Sequence, residues 1–173
     1  MSGNTSLIQP GERFEAVLSF LERRKSVPLT QFRGPGPDDA MLRRLLGIAA
    51  RVPDHGRLEP WRFIVYRPED GARIGEAFAA LVKRRNPEAR EDDLERERNR
   101  LRRAPVAVGV VSTASDHERI PQWEQFLSAG AVAMNLVTAA TAAGFAVNWV
   151  TGWYSDDAEA RSEEHTSELQ SLL

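Results

Sequence analysis

The chain of 173 residues contains no cysteine. That absence removes disulfides, thiolate metal sites and cysteine nucleophiles together, and it suits a reducing, cytoplasmic setting. Histidine is scarce too. His55, His117 and His165 stand far apart, without the spacing of metal ligands. The sequence holds no GxGxxG, no Walker-A loop, no HExxH and no GxSxG. No excess of one charge exists either: the formal net charge is −2, which argues against nucleic acid or a membrane surface as a partner through bulk electrostatics. The N-terminus, MSGNTSLIQPGER, shows no apolar signal-peptide region. The longest apolar region, 126–150, is broken by Ser128, Gly130, Asn135, Thr138 and Thr141, so the reading is of no membrane-spanning run.

What is present reads as one domain with a sizeable core, since hydrophobic residues make up 42% of the chain. Residues 1–12 are expected to be disordered. Phe14, Val17, Leu18 and Leu21 then recur at helical spacing, and the helix closes on Arg23, Arg24 and Lys25, cations suited to its C-terminal dipole. After a proline- and glycine-rich loop, Asp38 or Asp39 caps a second helix that buries Met41, Leu42, Leu45, Leu46, Ile48 and Ala49. Pro53 ends it. "WRFIVYR" reads as a strand, and Pro68 and Asp70 open a third helix to about Lys83.

The stretch from Lys83 to Arg103 is nearly all charge, with acids and bases interleaved and no aromatic residue. It reads as a solvated helix with i,i+4 ion pairs rather than a nucleic-acid patch. "APVAVGVVST" is a buried strand. Pro121 opens a long helix to about Ala143, with Trp123, Leu127, Met134 and Val137 along one stripe and small residues elsewhere. The expectation is a helix buried nearly all round, with a subunit interface as its further use. "FAVNWVTG" is expected to be a third strand, and "SDDAEAR" to start a short helix.

The last segment, Arg161 to Leu173, has no apolar period. Its eleven residues RSEEHTSELQS match, in order, the conceptual translation of a common sequencing-library adapter. The expectation is a non-native or disordered tail over 161–173, with the native sequence departing near Arg161 and a C-terminal segment missing. No role is assigned to His165.

Three clusters remain for chemistry: "RRKS" at the first helix end, "RVPDHGRLEPWRF" (Arg51 to Phe63), and "NWVTG" (Asn148 to Gly152). Singly, each has a plain structural reading as a solvated helix end, a proline-fixed turn and a core tryptophan. Their joint order, with the Ala-rich helix begun by "PQWEQFLSAGA" between the last two, resembles the nitroreductase family of flavin enzymes. The resemblance is strongest to its minimal branch with the P-D-H-x-x-x-x-P-W pattern, and it covers residues 13–160.

That resemblance implies an α+β fold, with a mainly antiparallel central sheet flanked by helices, and an obligate homodimer binding FMN at its interface. It implies a ping-pong cycle in which NADH or NADPH delivers a hydride to the flavin and a nitroaromatic, quinone or similar small oxidised substrate then takes the electrons. By the same resemblance Arg23 and Arg24 contact the FMN phosphate and ribityl chain, for which a guanidinium fork is suited. Lys25 stands where the family most often has Ser, so the hydroxyl contact is lost or passes to Ser26. Arg51 and His55 match positions that bind FMN from the partner subunit, with His55 also a candidate proton donor to the reduced substrate. Trp149, Val150 and Thr151 match the strand end lining the flavin. Ala139, Ala140, Thr141, Ala142, Ala143 and Gly144 match a segment contacting the nicotinamide cofactor.

The chain departs from the broader family's P-S-x-x-N-x-Q-P-W pattern, with Asp54 for Ser, Arg57 for Asn and Glu59 for Gln. An ionised carboxylate at Glu59 can only accept hydrogen bonds, where an amide both donates and accepts. It would repel the negative charge that reduction places on the flavin, and Arg57 could offset it. Three other readings stay open: an FMN protein of this fold with a different reaction, a non-enzymatic flavin-binding module, and a nucleic-acid binder using Arg23, Arg24 and 83–103. Substrate range, absence of NAD(P)H oxidation, and a salt-dependent shift with DNA or RNA would mark them in turn.

Overall fold

The computed structural model describes residues 8–165, with side chains described through Arg161. The expectation for residues 1–12 therefore falls partly outside the described residues, as does that for 166–173. Residues 9–12 form an exposed turn closed by Glu12 N–H donating to the Gln9 carbonyl at 3.1 Å.

Two strands, β1 (Trp61–Tyr66) and β2 (Ala107–Ser112), pair antiparallel with Trp61 opposite Ser112 and Tyr66 opposite Ala107. Side chains alternate across such a ladder, and here each face meets a helix layer. Ile64 and Tyr66 point to a cluster with Ile74, Phe78 and Leu81 of α3 (Pro68–Arg85) and with Tyr154 and Ala160. Phe63 and Val65 point the other way, onto Leu42 and Leu46 of α2 (Asp39–Ala49) and Leu136 of α5 (Gln122–Ala142). The sheet is thus sandwiched between α3 on one side and α2 with α5 on the other. Asp38 caps α2 by accepting from Met41 N–H at 2.8 Å. Ile48, expected inside, is 37% exposed.

The charged stretch is not one helix. α3 runs to Arg85, a turn follows, and α4 spans Glu91–Arg98. Among the described residues its ion pairs are i,i+3, span seven residues within α4 (Arg98 with Glu91), or reach between helices, rather than i,i+4. Arg96 pairs with Asp93 at 3.0 Å, and Arg98 reaches across to Glu76 at 3.3 Å. α4 also lies close on α3, because α3 presents glycines there. A Cβ at Gly75 would stand 2.1 Å from the Arg98 carbonyl oxygen, and one at Gly71 2.9 Å from that of Leu101. In the last turn of α4, Glu97 is buried and accepts from the Arg100 guanidinium and from Trp153 Nε1 at 3.2 Å. α6 (Ala158–His165) follows that tryptophan and takes in the first five residues of the tail. Arg85 holds it to α3 through two bonds to Asp157, at 2.7 and 3.2 Å.

Burial pushes the Glu97 carboxyl up, but the hydrogen bonds from Arg100 and Trp153 outweigh it and leave it below its ordinary value of 4.5. A depressed carboxyl stabilises the fold fully above its unfolded value, and that stabilisation is lost as pH falls through the folded one. Asp157, lowered chiefly by its bond from Arg85, acts with the same sign. The urea midpoint is therefore expected to hold from neutral pH down to about 5 and to fall below about 4.5. Glu97→Gln should make that fall shallower; an equally steep fall in the variant removes Glu97 from the acid transition.

Two further expectations are corrected. α5 is not buried all round: Trp123 is 61% exposed, Phe126 53%, Leu127 65% and Met134 40%, and of the expected stripe Val137 alone is buried. Among the described residues α5 packs chiefly on α2 and β2, which leave much of its apolar side exposed. As a helix, α5 also meets the length and composition of a membrane span, because Asn, Thr and Ser interrupt its apolar content without ending the helix. The "FAVNWVTG" strand does not form. Gly144, at φ +90°, stops α5, with Phe145 N–H returning to the Ala140 carbonyl at 3.0 Å. The chain then meets residue Val27 rather than β2. Val27 N–H donates to the Val147 carbonyl and Asn148 Nδ2 to the Val27 carbonyl, both at 2.9 Å. With a side chain supplying the second bond, no ladder develops.

Candidate functional site

The bonds between Val27 and residues 147–148 bring two of the three sequence clusters together. α1 (Glu15–Arg23) ends on Arg23, whose Nε donates to the Ser19 carbonyl at 3.0 Å. Arg24 follows outside the helix and is half-buried, while Lys25 and Ser26 are exposed. Across the Val27 junction the chain continues into Trp149 and Val150, each 51% exposed, and the exposed Thr151. Trp149 is therefore not the core residue that its small neighbours suggested.

Arg24 Nη1 is the unusual atom here. Among the described residues it is the buried side-chain nitrogen or oxygen that has no hydrogen-bond partner. A buried cationic donor without an acceptor costs free energy that the fold does not recover. Such an atom suits an external anion, and a guanidinium grips a phosphate more strongly than most anions. Across the Val27 junction Trp149 and Val150 expose apolar surface.

The third cluster is built differently. Asp54 Oδ2 accepts Glu59 N–H at 2.7 Å and closes the loop 54–59. Within it Gly56, Arg57 and Glu59 all have positive φ, at 75°, 55° and 47°. For the two non-glycine residues this conformation costs on the order of 1 kcal/mol each. Strain of that kind survives only where the surroundings overdetermine it. α5 holds the chain leading into this loop, and His55 within it, through three side chains. Glu124 Oε2 lies 2.7 Å from His55 Nδ1. Ser128 Oγ donates to the Pro53 carbonyl at 3.1 Å. Asn135 Nδ2 donates to the Ile48 carbonyl at 2.7 Å and to that of Arg51 at 3.4 Å. Sequence reasoning missed all three. The signal was available: steps of four and eleven residues keep side chains on one helix face.

Arg51 and His55 are themselves exposed, and so are Arg57 and Glu59. Ala139, Ala140 and Thr141 are half-buried in the last turns of α5, while Ala142, Ala143 and Gly144 are exposed at its C-terminal cap. His117 takes no part in either cluster: its Nδ1 accepts from the backbone N–H of Arg119 and Ile120, both at 3.2 Å. His165 has no described side chain. The clusters thus form two groups. Arg23, Arg24, Lys25, Trp149, Val150 and Thr151 gather by the junction that follows the C-terminal end of α5. His55 is held at its N-terminal end.

Solved structures show which class of fold this is. A nitroreductase-like family protein from Bacillus cereus superposes with a TM-score of 0.69 at 20% identity, covering 88% of this chain and 78% of that one. A nitroreductase from Bacteroides fragilis, solved with bound FMN, gives a TM-score of 0.64 at 21% identity over 87% of this chain and 78% of its own. The fold is the nitroreductase-like α+β fold, as expected.

Sequence similarity is closer. The Nitroreductase family profile matches residues 21–169. The Escherichia coli K12 protein named "Putative NAD(P)H nitroreductase YdjA" is 32% identical over 140 residues, which is 80% of this chain and 73% of the relative. A Haemophilus influenzae protein similarly named as an NAD(P)H nitroreductase is 35% identical over 137 residues, 79% of this chain and 72% of its own length. The chain belongs to the nitroreductase family.

Proposed function

We propose that this chain is a cytoplasmic, FMN-dependent oxidoreductase that takes electrons from NADH or NADPH and passes them to nitroaromatic, quinone-like or related small oxidised substrates in a ping-pong cycle. The observation that carries the reading is Arg24 Nη1, a buried guanidinium nitrogen with no acceptor among the described residues. The FMN phosphate is an acceptor of the right charge and geometry. FMN supplies the hydride-accepting and hydride-donating chemistry when bound.

The protein's own part is to bind and orient. Arg24, with Arg23 and Lys25 beside it, holds the phosphate end. Trp149, Val150 and Thr151 offer the ring an apolar wall. Arg51 and His55 complete the site, and the C-terminal turns of α5, Ala139 to Gly144, border the place for the nicotinamide donor. His55 serves binding rather than proton donation in this reading, its Nδ1 pairing with Glu124 and its Nε2 left to face the ligand.

The two groups hang from opposite ends of α5, whose Glu124 and Ala142 lie about 27 Å apart at the helical rise, longer than a mononucleotide. This supports a homodimer in which each site draws on both chains. A twofold axis perpendicular to α5 sets two copies of the helix antiparallel, bringing the C-terminal end of one opposite the N-terminal end of the other. The uncovered Trp123, Phe126, Leu127 and Met134 of α5, with Val17, Leu18 and Leu21 of α1, supply the apolar contact such a pairing needs.

The test is to add FMN to the purified chain, remove the excess by gel filtration, and record the absorption spectrum and the sedimentation coefficient. A flavin band that bleaches with NADH or NADPH and returns with a nitroaromatic or quinone supports the reading. A colourless monomer after reconstitution overturns it.

A further inference from the structure

We propose that Glu124 is a positioning residue for His55: it fixes the imidazole tautomer and so decides which ring nitrogen meets the cofactor. The inference rests on the assignment of His55 to the FMN site and adds to it how this chain prepares that side chain. Glu124 lies in the first turn of α5, with Oε2 at 2.7 Å from His55 Nδ1. An ionised carboxylate only accepts, so Nδ1 must carry the hydrogen. In the neutral ring Nε2 is then left with its lone pair. It becomes an acceptor for a hydroxyl or N–H of the ligand.

The carboxylate is well placed to impose that choice. Its side chain is 30% exposed, against 64% for His55, so the histidine is the freer partner and the glutamate the fixed one. Ser128 and Asn135, on the same face of α5, hold the backbone of the preceding loop through the carbonyls of Pro53, Ile48 and Arg51. Those three bonds place the loop, whereas Glu124 alone acts on a side chain of the site. Because Glu124 is anchored in the helix that carries the apolar dimer face, the ring is oriented by a rigid element rather than by its own strained loop.

The test uses the whole chain labelled with 15N-histidine, as wild type, Glu124→Ala and Glu124→Gln. Two-bond 1H–15N NMR spectra of the apo-protein, at about pH 8.5 and so above the imidazole range, report the tautomer directly. Wild type should show His55 with Nδ1 protonated and Nε2 bare. Glu124→Ala should release this into a tautomer mixture, and Glu124→Gln should retain it, because the amide oxygen can accept the same hydrogen. FMN titration should give a Kd raised roughly three- to tenfold in the alanine variant, the modest size reflecting the exposure of His55. The glutamine variant should stay within about twofold, and the urea midpoint should barely move in either.

A wild-type tautomer in Glu124→Ala overturns the inference. So does an FMN affinity that falls equally in both variants. Wild-type protein that takes up no FMN overturns the cofactor assignment instead, while the tautomer comparison still decides whether Glu124 sets the ring.

Discussion

Replacing Arg24 with alanine is expected to raise the Kd for FMN by roughly 10- to 100-fold while leaving the apo-protein as stable as wild type or more so, by about 1 kcal/mol. The two halves come from one observation. Nη1 of Arg24 is buried with no partner, so the empty protein bears its desolvation without return and the loaded one recovers it through a charge-assisted bond. Arg24→Lys should fall between, since an ammonium is a point charge and lacks the fork. Fluorescence quenching of FMN gives the affinity, and urea unfolding of the apo-protein gives the stability. An alanine variant that loses stability and keeps FMN would make Arg24 a structural residue and leave the phosphate site without its main cation.

The second large effect is on the fold. Gly75→Ala is expected to destabilise the chain by about 3 kcal/mol, read as a lowered urea midpoint. On helix propensity alone alanine should win by about 1 kcal/mol. Overpacking decides the sign, because the added Cβ meets the Arg98 carbonyl oxygen at 2.1 Å and its carbon at 2.8 Å, both backbone atoms that cannot rotate away. Relief requires the end of α4 to lift off α3. Glu97 would move with it and loosen from Trp153, so the tryptophan fluorescence should shift too. Gly71→Ala, with its nearest contact at 2.9 Å, should cost less. A Gly75→Ala variant as stable as wild type would mean that α3 and α4 do not lie this close.

Much of this architecture was legible before any coordinates. Helical spacing found α1 and α2, Pro68 and Pro121 marked the starts of α3 and α5, β-branched and continuous apolar runs found both strands of the sheet, and of the two cap candidates Asp38 is the one that caps α2. The failures share one physical origin: local pattern says which side chains are apolar, not what stands opposite them. Trp123 and Leu127 read as core because they are large and apolar, yet the described residues of the chain leave both exposed. "FAVNWVTG" has strand composition, but a strand needs a neighbour with a free edge, and Val27 with Asn148 takes its place.

The candidate site divides the same way. Arg24, His55 and Trp149 were proposed from motif order. That Arg24 is an orphan, or that Glu124 lies against His55 from 69 positions away, is a property of packing alone. Glu59 gains a structural reason that composition could not supply: its backbone N–H is spent on Asp54 and its φ is +47°. The loop's conformation, more than its charge, sets where that carboxylate points.

The separation of the two groups along α5 has a consequence for genetics. In the proposed dimer each site takes Arg24 from one chain and His55 from the other. An Arg24→Ala chain and a His55→Ala chain, each defective alone, would then repair one another when co-expressed. A mixed dimer concentrates both lesions in one site and leaves the other whole. Random pairing of equal amounts makes about half the dimers mixed and restores about a quarter of all sites. Two alleles that fail separately would thus complement, whereas one chain bearing both lesions would rescue nothing when paired with itself.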